Sequence, residues 1–275
     1  KQGHTDALVL IGIDCPGAFA NTDYIRWAAD AKASSKSFYE KVLAGDDFQD
    51  NGLELADACK SCEHPVAEGA DVMIELFGVD VSRELIAKAL TPSGETLLKS
   101  VGLSLAKEPS TRQQALDRLL KAHEEYRDHM FGETSEAISD IEKMTEYLAG
   151  CVNCYNCRVA CPVCYCRECV FVTDVFDHEP VQYLRWADRK GELKMPTDTL
   201  FYHITRLAHM STACVGCGQC SNACPNDIPV MQLFKTIGRK TQEAFDYEAG
   251  RSLDEPPPLS VFRENEFLEV TGGKN

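Results

Sequence analysis

The residues with the plainest chemistry are the fourteen cysteines of this 275-residue chain, seven of them between Cys151 and Cys169. Cys151, Cys154, Cys157 and Cys161 follow the spacing C-x2-C-x2-C-x3-C and are closed by Pro162. Cys214, Cys217, Cys220 and Cys224 repeat it before Pro225. Three cysteines at this spacing wrap a tight loop whose sulfurs point inward, which suits a [4Fe–4S] cubane, while the fourth, before proline, ligates the other cluster of a two-cluster protein. The expected ligand sets are therefore crossed. Cys151, Cys154, Cys157 and Cys224 form the first, and Cys161, Cys214, Cys217 and Cys220 the second. CVNCYNCRVACP and CVGCGQCSNACP agree at seven of twelve positions, including Val152/Val215 and Ala160/Ala223, as two equivalent half-sites should. Zinc sites favour two separated C-x2-C pairs and fit less well. Cys157, Cys161 and Cys164 also spell the radical-SAM spacing C-x3-C-x2-C, but two of them are already claimed, and neither a glycine-rich contact nor a barrel pattern accompanies them.

Six cysteines remain: Cys15, Cys59, Cys62, Cys164, Cys166 and Cys169. Each triplet is one ligand short of a cubane. They make one mixed site with two spare thiols, or two sites each completed by a non-cysteine ligand or by a cysteine outside this chain. The alternative, plain buried thiols, is disfavoured by the local C-x2-C pairs Cys59/Cys62 and Cys166/Cys169.

Disulfides are disfavoured by the metal-type spacings and the lack of a secretory signal pattern, so the expected compartment is a reducing, oxygen-poor cytoplasm. With 28 basic against 43 acidic residues the net charge is −15, which argues against nucleic acid or an anionic membrane surface and allows a docking partner with a basic face. The longest apolar run, Ala7 to Ile13, is far short of a membrane span. The chain opens at Lys1 without Met, as a piece of a longer protein would.

The elements that must position these cysteines read as an α+β chain. Its first part, 1–108, is a small α/β domain. Residues 7–13 predict a buried strand emptying into Asp14-Cys15-Pro16-Gly17. Residues 22–45 predict helix with a break near Ala33–Ser35, residues 70–78 a second buried strand, and residues 81–90 a short helix ended by Thr91-Pro92-Ser93-Gly94. Residues 95–107 are ambiguous. An α-helical two-cluster ferredoxin domain follows over 109–254. It opens with a capping box (Ser110, Gln113) and a helix to about Met130, interrupted at Gly132 and followed by a second helix over 135–149. His123 and His129 read as packing or surface residues. Helices are predicted over 180–190, closed by Gly191, from 196–198 onward with Phe201, Ile204, Leu207 and Ala208 as the inward stripe, and over 228–247 with Val230, Leu233, Phe234 and Ile237 inward. Residues 255–275 are an extended tail carrying Phe262, Phe267 and Leu268.

The 52-residue helical insert between the runs, Pro162 to Ala213, resembles the α-helical ferredoxin modules of respiratory and heterodisulfide-type oxidoreductases. More specifically, IGIDCPGAF, CKSCEHPVAEGADVMIELFG and the two runs with CPVCYCREC resemble the beta-subunit family of deazaflavin-dependent hydrogenases and formate dehydrogenases. The CPVCYCREC segment points to the formate dehydrogenase branch. The resemblance implies a flavin (FAD) and a cluster in the α/β domain, with Cys15, Cys59 and Cys62 among that cluster's ligands and the fourth ligand N-terminal to Lys1. It implies a third cluster there and leaves Cys164, Cys166 and Cys169 as a further site. It also implies partners: a formate dehydrogenase catalytic subunit, or hydrogenase or heterodisulfide reductase-type subunits. The expected function is that of an iron–sulfur electron-transfer subunit of a multisubunit oxidoreductase, passing single electrons without a catalytic residue of its own. The competing expectation is a flavoenzyme subunit exchanging hydride with a deazaflavin or another soluble carrier.

Overall fold

The computed structural model describes residues 8–29, 35–46, 48–50, 53–103, 107, 109–166, 169–173, 175, 179–191, 198–252 and 254–260. The chain divides into two compact units, Lys1–His129 and Met130–Asn275. Ala33, Ser34, Phe262, Phe267 and Leu268 lie outside the described residues.

The first unit carries a three-stranded sheet of order β1-β4-β5. Strand β1 (Ile11–Ile13) runs parallel to β4 (Val72–Glu75), with Ile11 opposite Val72. Strand β5 (Ile86–Ala89) runs antiparallel to β4, with Val72 opposite Ala89. A small hairpin pairs β2 (Gln49–Asp50) with β3 (Leu53–Glu54). Around them lie α1 (Asn21–Ala28), α2 (Ser35–Leu43), α3 (Asp57–Lys60) and α4 (Pro92–Ser100). Helix α5 (Ser110–Ala137) begins in this unit. Its residues Ala115 and Leu119 close a core of Phe38, Val42, Leu43, Phe48, Leu53, Leu55 and Phe77.

Five expectations are corrected here. The strand expected to be buried at 7–13 is an edge strand, with Ile11 63% and Ile13 57% exposed, because it pairs only with β4 among the described residues. Residues 81–90 form no helix: their second half is β5, whose pairing with β4 overrides a local composition of mixed propensity. The segment Thr91–Gly94 starts a helix rather than ending one. Thr91 accepts from the Gly94 amide (3.2 Å) as N-cap of α4, with Pro92 in its first turn. Helix α5 also passes through Gly132 without a break, at the modest cost a solvent-facing glycine carries in a helix. The Gln113 side chain donates to Asp117 (2.7 Å) rather than closing a capping box.

The loop after β1 is anchored by a buried ion network. Asp14, fully buried, accepts from Arg112 Nη1 (2.5 Å) and Nη2 (3.2 Å) and from the backbone amides of Leu76 (2.8 Å) and Phe77 (3.1 Å). Arg112 Nε lies 3.1 Å from Glu75, which is 1% exposed. The pair thus ties the end of β1 to the end of β4 and to the first turn of α5. Gly78, at φ +69°, lets the chain lie against that same turn, since a Cβ there would fall 2.6 Å from Arg112 Cα. Thr111 donates to the Gly78 carbonyl (2.6 Å).

The second unit holds α6 (Ile141–Tyr147), α7 (Asn156–Val159), α8 (Pro180–Lys190), α9 (Thr199–Met210), α10 (Gln219–Asn222) and α11 (Val230–Ala244), with 3-10 turns at Val170–Val172 and Ser211–Ala213. Asp140 caps α6 by accepting from the Lys143 amide (2.8 Å), and Gly191 ends α8 at φ +74°. The core gathers Leu148, Phe171, Tyr202, Leu207, Met210, Ile228, Val230, Leu233 and Phe234, and partly buried cysteines of both runs pack on it. Helix α11 buries the stripe read from its sequence. Helix α9 does not: Phe201 is 56% and Ile204 44% exposed, and the buried face carries Tyr202, His203, Arg206, Leu207 and Met210.

Breaking a buried, bidentate ion pair by removing one partner costs about 3–5 kcal/mol. R112M, which removes the guanidinium shared by Asp14 and Glu75, is expected to lose that much stability of the first unit, read as a fall in its urea midpoint, whereas R118M at an exposed pair with Asp46 shifts it by under about 1 kcal/mol.

Candidate metal centre

The first cysteine run leaves α6 at Gly150 and turns through Asn153 (φ +52°) and Tyr155 (φ +59°) before α7. The second run turns through Gly216 (φ +65°) and Gly218 (φ +78°) before α10. In the internal repeat, Asn153 aligns with Gly216 and Tyr155 with Gly218. The two left-handed residues therefore fall at the same places in both loops, though only the second loop spells them as glycine. Asparagine enters this region readily; a tyrosine there is strained. Tyr155 is held by an edge-on contact with Tyr202, ring centroids 4.9 Å apart, and Asn153 Oδ1 accepts from the Thr199 hydroxyl (2.6 Å). In both loops the third residue's amide donates back to the first sulfur, Asn153 to Cys151 and Gly216 to Cys214. Such N–H···S bonds help set the potential of a cluster held there.

The fold brings cysteines of the two runs next to one another. Cys151, Cys154, Cys157 and Cys224 line one cavity with Tyr202, His203, Ile228 and Val230. Cys151 is an electrostatic neighbour of Cys157, Cys224 and Cys154. On the other side Cys214 neighbours Cys161 and Cys217, and Cys220 neighbours Cys214, Cys161 and also Cys157. The short helices α7 and α10 that follow the two loops pack on each other. Burial pushes the Cys151 and Cys214 thiols up and carries Cys220 to about 12. Apolar walls around neighbouring thiols are poor company for free thiolates and good company for soft iron, which shares their charge; the donor set fits cubane clusters in its chemistry.

The polar face of α9 reaches into this centre. Arg206, 3% exposed, donates from Nη1 to Cys157 Sγ (3.0 Å) and from Nη2 to the Cys157 carbonyl (3.2 Å). His203 Nε2 lies 3.5 Å from Cys151 Sγ, and Tyr202 Oη lies 3.5 Å from Cys157 Sγ. Burial and then the Arg206 charge bring His203 down to about 4, so it is neutral near pH 7. On α11, Lys235 is buried, an electrostatic neighbour of Cys214, and lays its stem against Gly216. None of Tyr202, His203, Arg206 and Lys235 was picked out in the sequence. The available signal was a run of polar residues, spaced i, i+1 and i+4, inside an otherwise amphipathic helix between two cysteine runs.

The remaining cysteines are distributed as follows. Cys164 packs on the same core; burial raises its thiol, while Arg206 and Cys161 are among its neighbours. Cys169 packs on that core too, and Cys166 is exposed, its carbonyl accepting from Arg158 Nη2 (3.3 Å). In the first unit Cys15 N–H donates to the Pro65 carbonyl (2.8 Å), tying the loop after β1 to the segment that follows Cys62. The Cys59 sulfur accepts from the Ala18 amide (3.2 Å), and the Cys62 sulfur accepts from the His64 amide (3.4 Å). His123 Nδ1 lies 2.8 Å from the Cys62 carbonyl, a packing role.

Residues 147–228 match the 4Fe-4S dicluster domain family. The F420-dependent formate dehydrogenase subunit beta of Methanocaldococcus jannaschii is 26% identical over 237 residues, which are 83% of this chain and 58% of that protein. The F420-dependent formate dehydrogenase 1 subunit beta of Methanococcus maripaludis is 30% identical over 224 residues, 78% of this chain and 54% of that protein. The chain is a homologue of these beta subunits. It spans about half the length of the curated relatives it matches. Among the described residues no helix of this beta-subunit homologue is long and apolar enough to cross a membrane.

Crossed ligation has a pairwise signature. In the anaerobically purified protein the double variant C151A/C224A is expected to lose one cubane, about four iron ions per chain, whereas C214A/C224A loses both. Ligation within each run predicts the reverse, and iron with acid-labile sulfide analysis tells the two apart.

Proposed function

We propose that this chain is an iron–sulfur electron-transfer subunit of a multisubunit oxidoreductase linked to formate dehydrogenase, working with a separate catalytic subunit. The observation that carries the reading is the proximity of cysteines from the two runs: Cys224 lines one cavity with Cys151, Cys154 and Cys157, and Cys161 neighbours Cys214 and Cys220, which supports an exchange of the last ligand. An arrangement of two interlocked thiol sets has an obvious use in a dicluster protein and little in a scaffold stapled by single metal ions. Each cubane, when bound, takes up and releases one electron. The protein's own part is to hold and shield. Cys151, Cys154, Cys157 and Cys224 would hold the first cluster, and Cys161, Cys214, Cys217 and Cys220 the second. Ile228, Val230, Tyr202 and Phe234 keep water from the space beside them. Cys154 and Cys217, each exposed, put one ligand of each set at the surface, where electrons can enter and leave. In this reading formate oxidation belongs to the partner.

Cys15, Cys59 and Cys62 are proposed as part of a third cluster. Their amide-to-sulfur bonds and the clamped loop before Cys15 support that role, with the fourth ligand supplied from outside the trio.

Iron and acid-labile sulfide analysis of the anaerobic protein is expected to give about eight iron ions per chain for two cubanes, or about twelve with the third filled. Dithionite should then produce the EPR spectrum of two magnetically coupled reduced clusters. A protein that binds metal yet stays EPR-silent after reduction would overturn the reading.

A further inference from the structure

The dicluster core places a permanent charge unequally between its two thiol sets. Arg206 is buried and carries the charge at any physiological pH. Among the described residues its surroundings are thiols and rings rather than carboxylates. Its guanidinium lies 5.4 Å from the Tyr202 ring centroid and 4.6 Å from that of Phe234, and its electrostatic neighbours are Cys157, Tyr202, Cys164 and Cys220. Among the cysteines of the two sets, Cys157 takes the direct bond from Nη1 (3.0 Å), and Nη2 grips the carbonyl of the same residue; Met210 Sδ (3.9 Å from Nη2) and Cys164, which belong to neither set, are further sulfur partners of Arg206. The side chain is therefore aimed at one set, although the other is nearby. Lys235 faces Cys214 in the second set, with its stem spread along Gly216.

We propose that Arg206 makes the cluster held by Cys151, Cys154, Cys157 and Cys224 the higher-potential one of the pair. The inference rests on the crossed ligation proposed above. Reduction places one additional electron on a cluster and hence one more negative charge. A cation hydrogen-bonded to a ligand sulfur inside a dry core stabilises that reduced form more than the oxidised one. The first cluster is then the site where an electron rests, and the second the relay through which it passes. Arg206 touches a ligand and not the iron, so its role is one of tuning.

The test is an EPR-monitored redox titration of the whole chain with dithionite as electron donor. In the unaltered protein the two clusters are expected to reduce in separate steps, and C154A should remove the step at higher potential. R206Q should keep both cubanes and lower that step by about tenfold in the reduction equilibrium, about 59 mV for one electron. R206K, which keeps the charge, should move it by less than about threefold. Loss of the lower step in C154A would overturn the proposal, whether or not R206Q assembles its clusters. So would an R206Q protein with both cubanes and unchanged potentials. A protein without cubanes would instead sink the ligation reading, and this inference with it.

Discussion

Gathering thiols in a dry core is unfavourable once they carry charge, and the second unit is built around a buried guanidinium that offsets it. Arg206 bonds the sulfur and the carbonyl of Cys157 while its guanidinium lies over two aromatic rings, those of Tyr202 and Phe234. Tyr202 and Phe234 are in turn core residues of α9 and α11. The same contacts thus fix how these helices pack and which charge meets the cysteines. Inward orientation of the polar side of α9 follows from this: Arg206, His203 and Tyr202 find sulfur and carbonyl partners there, while Phe201 and Ile204 remain partly in water. A buried polar face is stable only where partners exist, and the cysteine loops provide them.

The first unit solves a related problem with carboxylates. Asp14 precedes Cys15, so fixing it fixes where the cysteine loop starts. Its bonds to Arg112 and to the Leu76 and Phe77 amides join the ends of β1 and β4 to α5. A network of this kind adds little net stability compared with an apolar core of similar volume, but it admits one register only, since any slip leaves a buried charge unpaired. The clamp between the Cys15 amide and the Pro65 carbonyl carries that register to the segment bearing Cys59 and Cys62.

The two cysteine loops show how geometry outranks residue identity. Both need left-handed backbone at their third and fifth positions so that successive sulfurs turn to one side. Gly216 and Gly218 adopt it freely, whereas Asn153 and Tyr155 are held there by Thr199 and Tyr202, both on α9. Helix α9 therefore supports the first loop as well as neutralising it, a task the glycines make unnecessary in the second.

Much of the centre was legible from cysteine spacing alone. C-x2-C-x2-C-x3-C-P predicts the loop geometry, and its repetition predicts an exchange of the fourth ligand, because cubane chemistry allows few ways to place four sulfurs. The closure of α8 by Gly191 and the stripe of α11 were equally local and equally readable. What the sequence could not decide was anything set by a distant partner. Residues 81–90 became half a strand because β4 lay open to pair with them. Thr91 became a helix cap in the company of Asp71, to which its hydroxyl donates (2.6 Å). The face α9 buries depended on sulfurs located before and after it in the chain. Periodicity counts apolar side chains, and it has no term for an arginine whose partners are cysteines brought in by the tertiary fold.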